Sequence, residues 1–280
     1  MGKFDGVLLI SDFDDTLLRT SAAVRSGGEL PEIPAYNLER IRYFMDNGGR
    51  FALASGRVWV SFVHFLPMVP TNAPCGTANG AAIVDPATGK NLFLHPLPDS
   101  IGGVIEELEA RGPRYACELY PADNTADVLR PNDFTRNHAH ISRYEFREIT
   151  SFSQTHPPFL KALFEGEYGE LEALRQYIVS RPWYSEYEVF FSSDTLLELI
   201  ARGSNKGTMV GKLAELCGVS LDHTYCIGDN ANDLPMLQRA RIAFAPSNAV
   251  PAILESGATI LCDCMEGAVG QAIDHLDRIY

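Results

Sequence analysis

A continuous apolar run, Val7-Leu8-Leu9-Ile10, stops at the acidic cluster Asp12-Phe13-Asp14-Asp15-Thr16. A short run with no polar alternation is the mark of a strand buried on both faces, as in parallel sheets covered by helices. The pattern recurs along the chain. Phe51 to Ala54 ends at Ser55-Gly56-Arg57, and Tyr225 to Ile227 ends at Gly228-Asp229. Ile242 to Ala245 and Ala258 to Leu261 are further short apolar runs. Helical spacing separates them. Leu38, Ile41 and Met45 predict a helix over 36–47, stopped by Gly48-Gly49, and a second helix over 58–65 breaks at Pro67. Met209, Leu213 and Leu216 predict a helix over 206–217, closed by Gly218. Pro235 sits in the first turn of another helix, where proline is tolerated. A short helix over 249–255 follows, and Val269, Ile273, Leu276 and Ile279 mark a terminal helix. Strand alternating with helix at both ends of the chain predicts an α/β fold around a parallel sheet.

The middle of the chain reads differently. Ile101, Val104, Ile105 and Leu108 form one amphipathic helix, and Tyr168, Leu171, Leu174 and Ile178 a second. Strand-like stretches lie at 115–120, 159–164, 187–192 and 195–200, with Tyr187-Val189-Phe191 alternating as in a sheet with one solvated face. Two helices on one side of an antiparallel sheet account for this, an α+β domain inserted into the α/β core. The expected boundaries are 1–84 and 203–280 for the core and 85–202 for the insert. The polar stretch 121–157, with Pro121, Pro131, Pro157 and the adjoining Pro158, is left unassigned. At 280 residues the chain exceeds what one small core usually fills, which agrees with two domains.

Lys and Arg number 23 against 36 Asp and Glu, a formal charge of −13. That balance excludes a general binder of nucleic acid or of anionic membrane, since both need a basic footprint. It leaves room for a small anionic substrate in a local cationic pocket. No stretch reaches the roughly 18 consecutive apolar residues of a membrane span. The N-terminus is not a signal peptide, so a cytoplasmic location with all six cysteines reduced is expected. Cys262 and Cys264 have no second pair nearby, and zinc is not expected there.

Ligand sites in open parallel sheets lie at the carboxyl ends of the strands. Asp12, Asp14, Ser55, Asp229 and Asp233 follow such ends, and Lys206 begins a helix, so all are expected to converge on one crevice. Four carboxylates at contact distances repel severely, and a divalent cation relieves them. An all-oxygen donor set favours Mg²⁺. Lys206 adds a positive charge, while Ser55 and backbone N–H groups add donors, making an electrophilic cradle for a phosphoryl group. One carboxylate attacks phosphorus, and a second moves the proton.

These segments resemble the four motifs of the haloacid dehalogenase superfamily. Asp12 to Leu17 is similar to its D-x-D-x-T motif, and Ser55-Gly56-Arg57 to its second. Asn205-Lys206-Gly207 resembles the third, and Gly228-Asp229 through Asn232-Asp233 the fourth. Asn79-Gly80-Ala81, Ala245-Pro246-Ser247-Asn248-Ala249 and Glu266-Gly267-Ala268-Val269 resemble segments of its Cof-like branch, whose α/β cap (type IIB) is inserted after the second motif. The resemblance implies a Rossmann-like core and a cap that closes over the crevice and selects the leaving group. It implies a Mg²⁺-dependent phosphomonoesterase acting on a small phosphorylated metabolite, a sugar phosphate by analogy. Asp12 would be nucleophile and metal ligand, and Asp14 general acid/base and metal ligand through its carbonyl. Asp229 would be the third ligand. Thr16, Ser55, Gly56, Arg57, Lys206 and Asn232 would bind phosphate or substrate, Arg57 serving equally as an ion-pair partner. Asp233 would hold Lys206 or a metal-bound water.

A phosphotransferase or hexose-phosphate mutase would use the same residues, and a non-catalytic phospho-ligand module would keep the fold. A monomer and a homodimer both remain open. Asp15 stands where most relatives carry Gly, and is read as a solvated or capping carboxylate. His138 and His140 are read as solvated loop residues, with metal binding or substrate contact as alternatives, and Trp183, Tyr184 and Tyr187 as packing groups, with an aromatic sugar platform as the alternative. Glu198, on an apolar strand, is expected to face solvent or bond a neighbour, since an isolated buried carboxylate is costly.

Overall fold

A computed structural model describes residues 2–21 and 30–280, so Met1 and 22–29 of the expected core segment lie outside the described residues. The first part of the chain forms β1 (Leu8–Ser11), α1 (Ala35–Asp46), β2 (Arg50–Leu53), α2 (Trp59–Phe62), β3 (Cys75–Thr77), β4 (Ala82–Val84) and β5 (Asn91–Leu94). The middle forms α3 (Ile101–Glu109), β6 (Ala116–Pro121), β7 (Asp127–Leu129), α4 (Asp133–Ser142), β8 (Arg147–Ile149), β9 (Phe159–Glu165), α5 (Tyr168–Val179), β10 (Tyr187–Ser193) and β11 (Leu196–Ala201). The last part forms α6 (Lys206–Cys217), β12 (Thr224–Ile227), α7 (Leu234–Leu237), β13 (Ala243–Pro246), α8 (Pro251–Leu254), β14 (Thr259–Leu261) and α9 (Ala268–Ile279). The chain divides into two compact units. The first is Met1–Arg57, Phe65–Phe93 and Asn205–Tyr280, and the second is Val58–His64 and Leu94–Ser204.

The first unit carries a parallel sheet in the order β14-β13-β12-β1-β2. Its central strand β1 is wholly buried, as the unbroken apolar run predicts. Leu8 and Ile10 pack with Met209, Val210 and Leu213 of α6. Four expected face residues of this unit differ. Leu216 and Ile279 are exposed, and α1 buries Asn37, Ile41 and Phe44 rather than Leu38 and Met45. Asn37 is tolerated in that stripe because its amide is used at both ends. Nδ2 donates to Leu17 O at 3.2 Å, and Oδ1 accepts from Gly270 N at 2.8 Å.

The second unit holds a six-stranded sheet, β10-β11-β9-β6-β7-β8, antiparallel except between β7 and β8. Cys117, Leu119, Ala162, Phe164, Leu197 and Leu199 share one face with the apolar stripes of α3 and α5. Tyr187 and Trp183 pack there edge to face, at 5.7 Å between centroids. Strand alternation sends Glu118, Tyr120, Lys161, Glu165 and Glu198 to the opposite face. Glu198 does not face solvent. It is buried, with Lys161 Nζ at 3.1 Å.

The unassigned stretch contains β7, α4 and β8. Helix α4 starts at a capping box in which the Asn132 side chain accepts from Thr135 N at 3.0 Å. His138 and His140 therefore lie on a helix and not in a solvated loop. All six cysteines are free thiols. No helix among the described residues is long and apolar enough to cross a membrane.

Candidate active site

Strand pairing carries Asp12 one residue past the end of β1. Its N–H donates to Ile227 O on β12 at 2.9 Å, which holds the carboxylate at the carboxyl edge of the sheet. Lys206 is the first residue of α6, behind the N-cap Asn205, whose Oδ1 accepts from Gly207 N and Thr208 N. The lysine is almost wholly buried. Nζ donates to Asp12 Oδ1 and to Asp233 Oδ1, each at 2.6 Å. The second Asp233 oxygen accepts from Asp229 N and Asn230 N, each at 3.0 Å. Asp233 is thus fully used in tying the β12–α7 turn to the lysine. Gly228 makes this turn feasible, since a Cβ there would stand 2.6 Å from the Asp233 side chain.

Carboxylate oxygens of Asp12, Asp229 and Asp233 lie within 4.8 Å of one another. Three negative charges against the single Lys206 charge leave a deficit of two when all are ionised. The titration of the group follows. Burial, then Asp233, raise Asp12 well above the usual carboxylate range, with Lys206 opposing them. Burial and Asp233 push Asp229 up to about 7, against the hydrogen bond from Thr16. Burial works against the Lys206 ammonium, but Asp12 and Asp233 outweigh it and hold the group above its usual range. The cluster is short of positive charge and lined by oxygen donors, so the residues present fit a hard divalent cation.

Two sequence-predicted phosphate ligands have other partners. Thr16 Oγ1 donates to Asp229 Oδ1 at 2.7 Å. Arg57 grips Asp14 with both arms, Nε to Oδ2 at 2.9 Å and Nη2 to Oδ1 at 2.8 Å, and stacks on Phe65 at 4.7 Å from its centroid. Burial would raise Asp14, but the guanidinium more than offsets it and holds the carboxyl below its ordinary value. Asp15 is a capping carboxylate. Its Oδ1 accepts from Thr20 N at 3.0 Å and Ser21 N at 3.1 Å, and its φ of 55° lies where Gly is favoured and Asp is tolerated.

Ser55 is buried after β2, its Oγ accepting from Arg57 N at 3.1 Å. Gly56 adjoins Asn79, whose Oδ1 accepts from Asn232 Nδ2 at 3.0 Å. Asn79 was not among the expected site residues. The Asn-Gly-Ala run was its only signal, and the contact with Asn232 spans 153 positions. Asn248 was missed likewise. It donates to Asp15 O at 2.8 Å and accepts from Cys264 N at 2.9 Å, bracing the loop after β1.

A family profile described as haloacid dehalogenase-like hydrolase matches residues 9–273. The chain belongs to the haloacid dehalogenase-like hydrolases. This hydrolase is 25% identical over 292 residues to a Bacillus subtilis protein named 5-amino-6-(5-phospho-D-ribitylamino)uracil phosphatase YwtE, covering 95% of this chain and 96% of that one. A haloacid dehalogenase-like hydrolase from Bacteroides thetaiotaomicron superposes with a TM-score of 0.83 at 24% identity, covering 98% and 100% of the two chains. The subclass IIB sugar phosphatase BT4131 superposes with a TM-score of 0.76 at 17% identity, covering 97% and 99%. The chain accordingly shares the fold of that subclass IIB phosphatase.

Proposed function

We propose that this hydrolase is a Mg²⁺-dependent phosphomonoesterase that acts on small phosphorylated metabolites through a covalent aspartyl phosphate on Asp12. The observation that carries the reading is the buried Lys206 bridging Asp12 and Asp233 beside Asp229. Lys206 occupies Asp12 Oδ1, which leaves Oδ2 to attack phosphorus. Asp12, Asp229 and the backbone carbonyl of Asp14 would hold Mg²⁺. When bound, it supplies the missing positive charge and lowers the repulsion between the nucleophile and an anionic ester. Lys206 orients Asp12 and favours its ionised form against burial and Asp233, which in turn holds Lys206 in place. Thr16 fixes the direction of Asp229, while Ser55, Gly56 and Asn232 line the phosphoryl position.

In the first step Asp12 Oδ2 bonds to phosphorus, the bond from phosphorus to the ester oxygen breaks, and Asp14 gives that oxygen its proton. In the second, Asp14 takes a proton from water as the water oxygen attacks phosphorus and Asp12 leaves. Asp14 can donate only when protonated, and its pairing with Arg57 opposes that form. Arg57 is therefore a positioning residue that must release Asp14 before the first step.

The sign of its removal follows. Without the guanidinium the Asp14 pKa rises, so its acid form persists to higher pH. In Arg57→Gln the limb of the kcat/KM profile that reports Asp14 is expected to move upward, the direction that follows from losing a neighbouring guanidinium. A limb that stays in place or moves down would remove Arg57 from this role.

The substrate class rests on relatives. One is named for a phosphoribitylamino compound and another is called a sugar phosphatase. Both names describe phosphate on a polyhydroxylated carbon chain. We assign choice of leaving group to the second unit, because the groups named above handle only the phosphoryl end. Across a panel of sugar, polyol and nucleotide phosphates, kcat/KM is expected to be at least roughly tenfold higher for the sugar and polyol esters, about 1.4 kcal/mol of discrimination. A preference for nucleotides would refute the class while leaving the phosphoryl chemistry standing.

A further inference from the structure

We propose that Glu118, His138 and Glu165 of the second unit form a binding site for a divalent transition-metal ion of the Zn²⁺ or Mn²⁺ type, sharing no residue with the Asp12 cluster. Glu118 lies on β6 and Glu165 at the end of β9, on the sheet face opposite α3 and α5. Helix α4 brings His138 to the same place. Both glutamates are wholly buried, while 23% of the His138 side chain is exposed and offers the way in.

The geometry has the spacing of a ligand set. His138 Nδ1 lies 2.8 Å from Glu165 Oε1 and 3.4 Å from Glu118 Oε2, and one ligand atom of each residue falls within 4.8 Å of the others. Metal–ligand bonds of about 2.1 Å put adjacent ligand atoms about 3.0 Å apart in an octahedron and about 3.4 Å apart in a tetrahedron. One imidazole with two carboxylates selects a borderline cation over Mg²⁺ or Ca²⁺.

A second observation concerns the saturation of Glu165. Neither oxygen of this buried carboxylate accepts a well-formed hydrogen bond, although His138 Nδ1 stands 2.8 Å from Oε1 as an ion-pair partner. A buried polar group in that state costs stability unless something else satisfies it. Glu118 is held as ligands commonly are by outer groups. Tyr120 donates to Oε2 at 2.6 Å and Tyr144 to Oε1 at 2.7 Å. The Tyr144 hydroxyl also stands 3.1 Å from His138 Nδ1.

Burial and the two glutamates favour proton uptake by the metal-free site. Burial raises the Glu165 carboxyl. Burial opposes the imidazolium, yet Glu118 and Glu165 together hold His138 up to about 9. A metal ion would replace those protons, so binding should release them and strengthen with pH. It would also fasten α4 to β6 and β9.

The test uses the full chain, stripped with chelator and then given excess Mg²⁺ to occupy the Asp12 cluster. Zn²⁺ is titrated by calorimetry in two buffers of different ionisation enthalpy. One equivalent is expected to bind with proton release and to raise the melting temperature. Asp229→Asn should bind Zn²⁺ as the wild type does, whereas Glu165→Gln and His138→Gln should weaken it at least roughly 100-fold. No Zn²⁺ binding by wild type, or binding abolished by Asp229→Asn, would overturn the site, and neither result depends on the folding of the Glu165 variant. Unchanged binding in both Glu165→Gln and His138→Gln would overturn it too. The phosphatase reading is untouched by any of these outcomes.

Discussion

Asp12→Asn is expected to lower turnover by roughly 10⁴-fold or more, the scale of removing a nucleophile that works as part of a unit. The replacement keeps the shape of the side chain and removes its charge. Lys206 still has Asp233, at 2.6 Å, so the lysine is not left unpaired. Asp12 is itself held above the usual carboxylate range, chiefly by burial and by Asp233. Its ionised form is therefore costly in the metal-free fold. Removing that charge is expected to leave the metal-free melting temperature unchanged or raised, while activity collapses. This split separates a chemical role from a structural one. Residual turnover within about tenfold of wild type would end the covalent mechanism.

Lys206→Met should damage both properties. The ammonium is buried, and it is the group that bridges Asp12 and Asp233. Removing one partner of a buried ion pair typically costs about 3–5 kcal/mol, because the other charge stays behind without compensation. Here two carboxylates stay behind. We expect a loss of that size in urea unfolding of the metal-free protein. Turnover should fall roughly 10²–10³-fold, the usual cost of one electrostatic donor at a reacting centre. Lys206→Arg should recover part of the stability and little of the rate, since a planar fork does not fit a site shaped for a point charge. A stability loss below about 1 kcal/mol would mean that the pair is not the anchor described above.

Legibility in the sequence varied with the physics of each segment. Helix α6 is readable from Lys206 to Cys217 because Asn205 caps its start and Gly218, at a φ of 66°, ends it. Strand β1 is readable because burial on both faces leaves an unbroken apolar run. Helix α4 escaped because its buried positions are Thr135, Ala139 and Ser142, small or polar residues that make no apolar stripe. Its capping box uses Asn and Thr in place of the commoner Ser or Thr with Glu.

The site divided along a similar line. Which side chains gather at the strand ends is a matter of topology, and the order of apolar runs carries that. Which of them bond to each other is a matter of tertiary geometry, and one-dimensional spacing does not carry it. Arg57 reaches back to Asp14 across 43 positions, and Thr16 reaches Asp229 across 213. The resemblance assigns Thr16 to phosphate and leaves Arg57 equally a phosphate ligand and an ion-pair partner, and neither spacing names the bonds seen here. Asp15 shows the opposite case. Its place in a tight loop is consistent with a residue tolerated at positive φ, and its carboxylate caps the next turn.

Metal dependence is the most direct test of the central claim, because the charge deficit around Asp12, Asp229 and Asp233 is what the proposed chemistry needs filled. Inorganic phosphate release by wild type from sugar and polyol phosphates would be measured with Mg²⁺ and again with EDTA. Release with Mg²⁺, its loss with EDTA and its return on adding Mg²⁺ back is the predicted result. Equal release in EDTA, or none from any ester with Mg²⁺ present, would contradict a metal-dependent phosphomonoesterase; transfer to an added sugar with little free phosphate would make the chain a phosphotransferase.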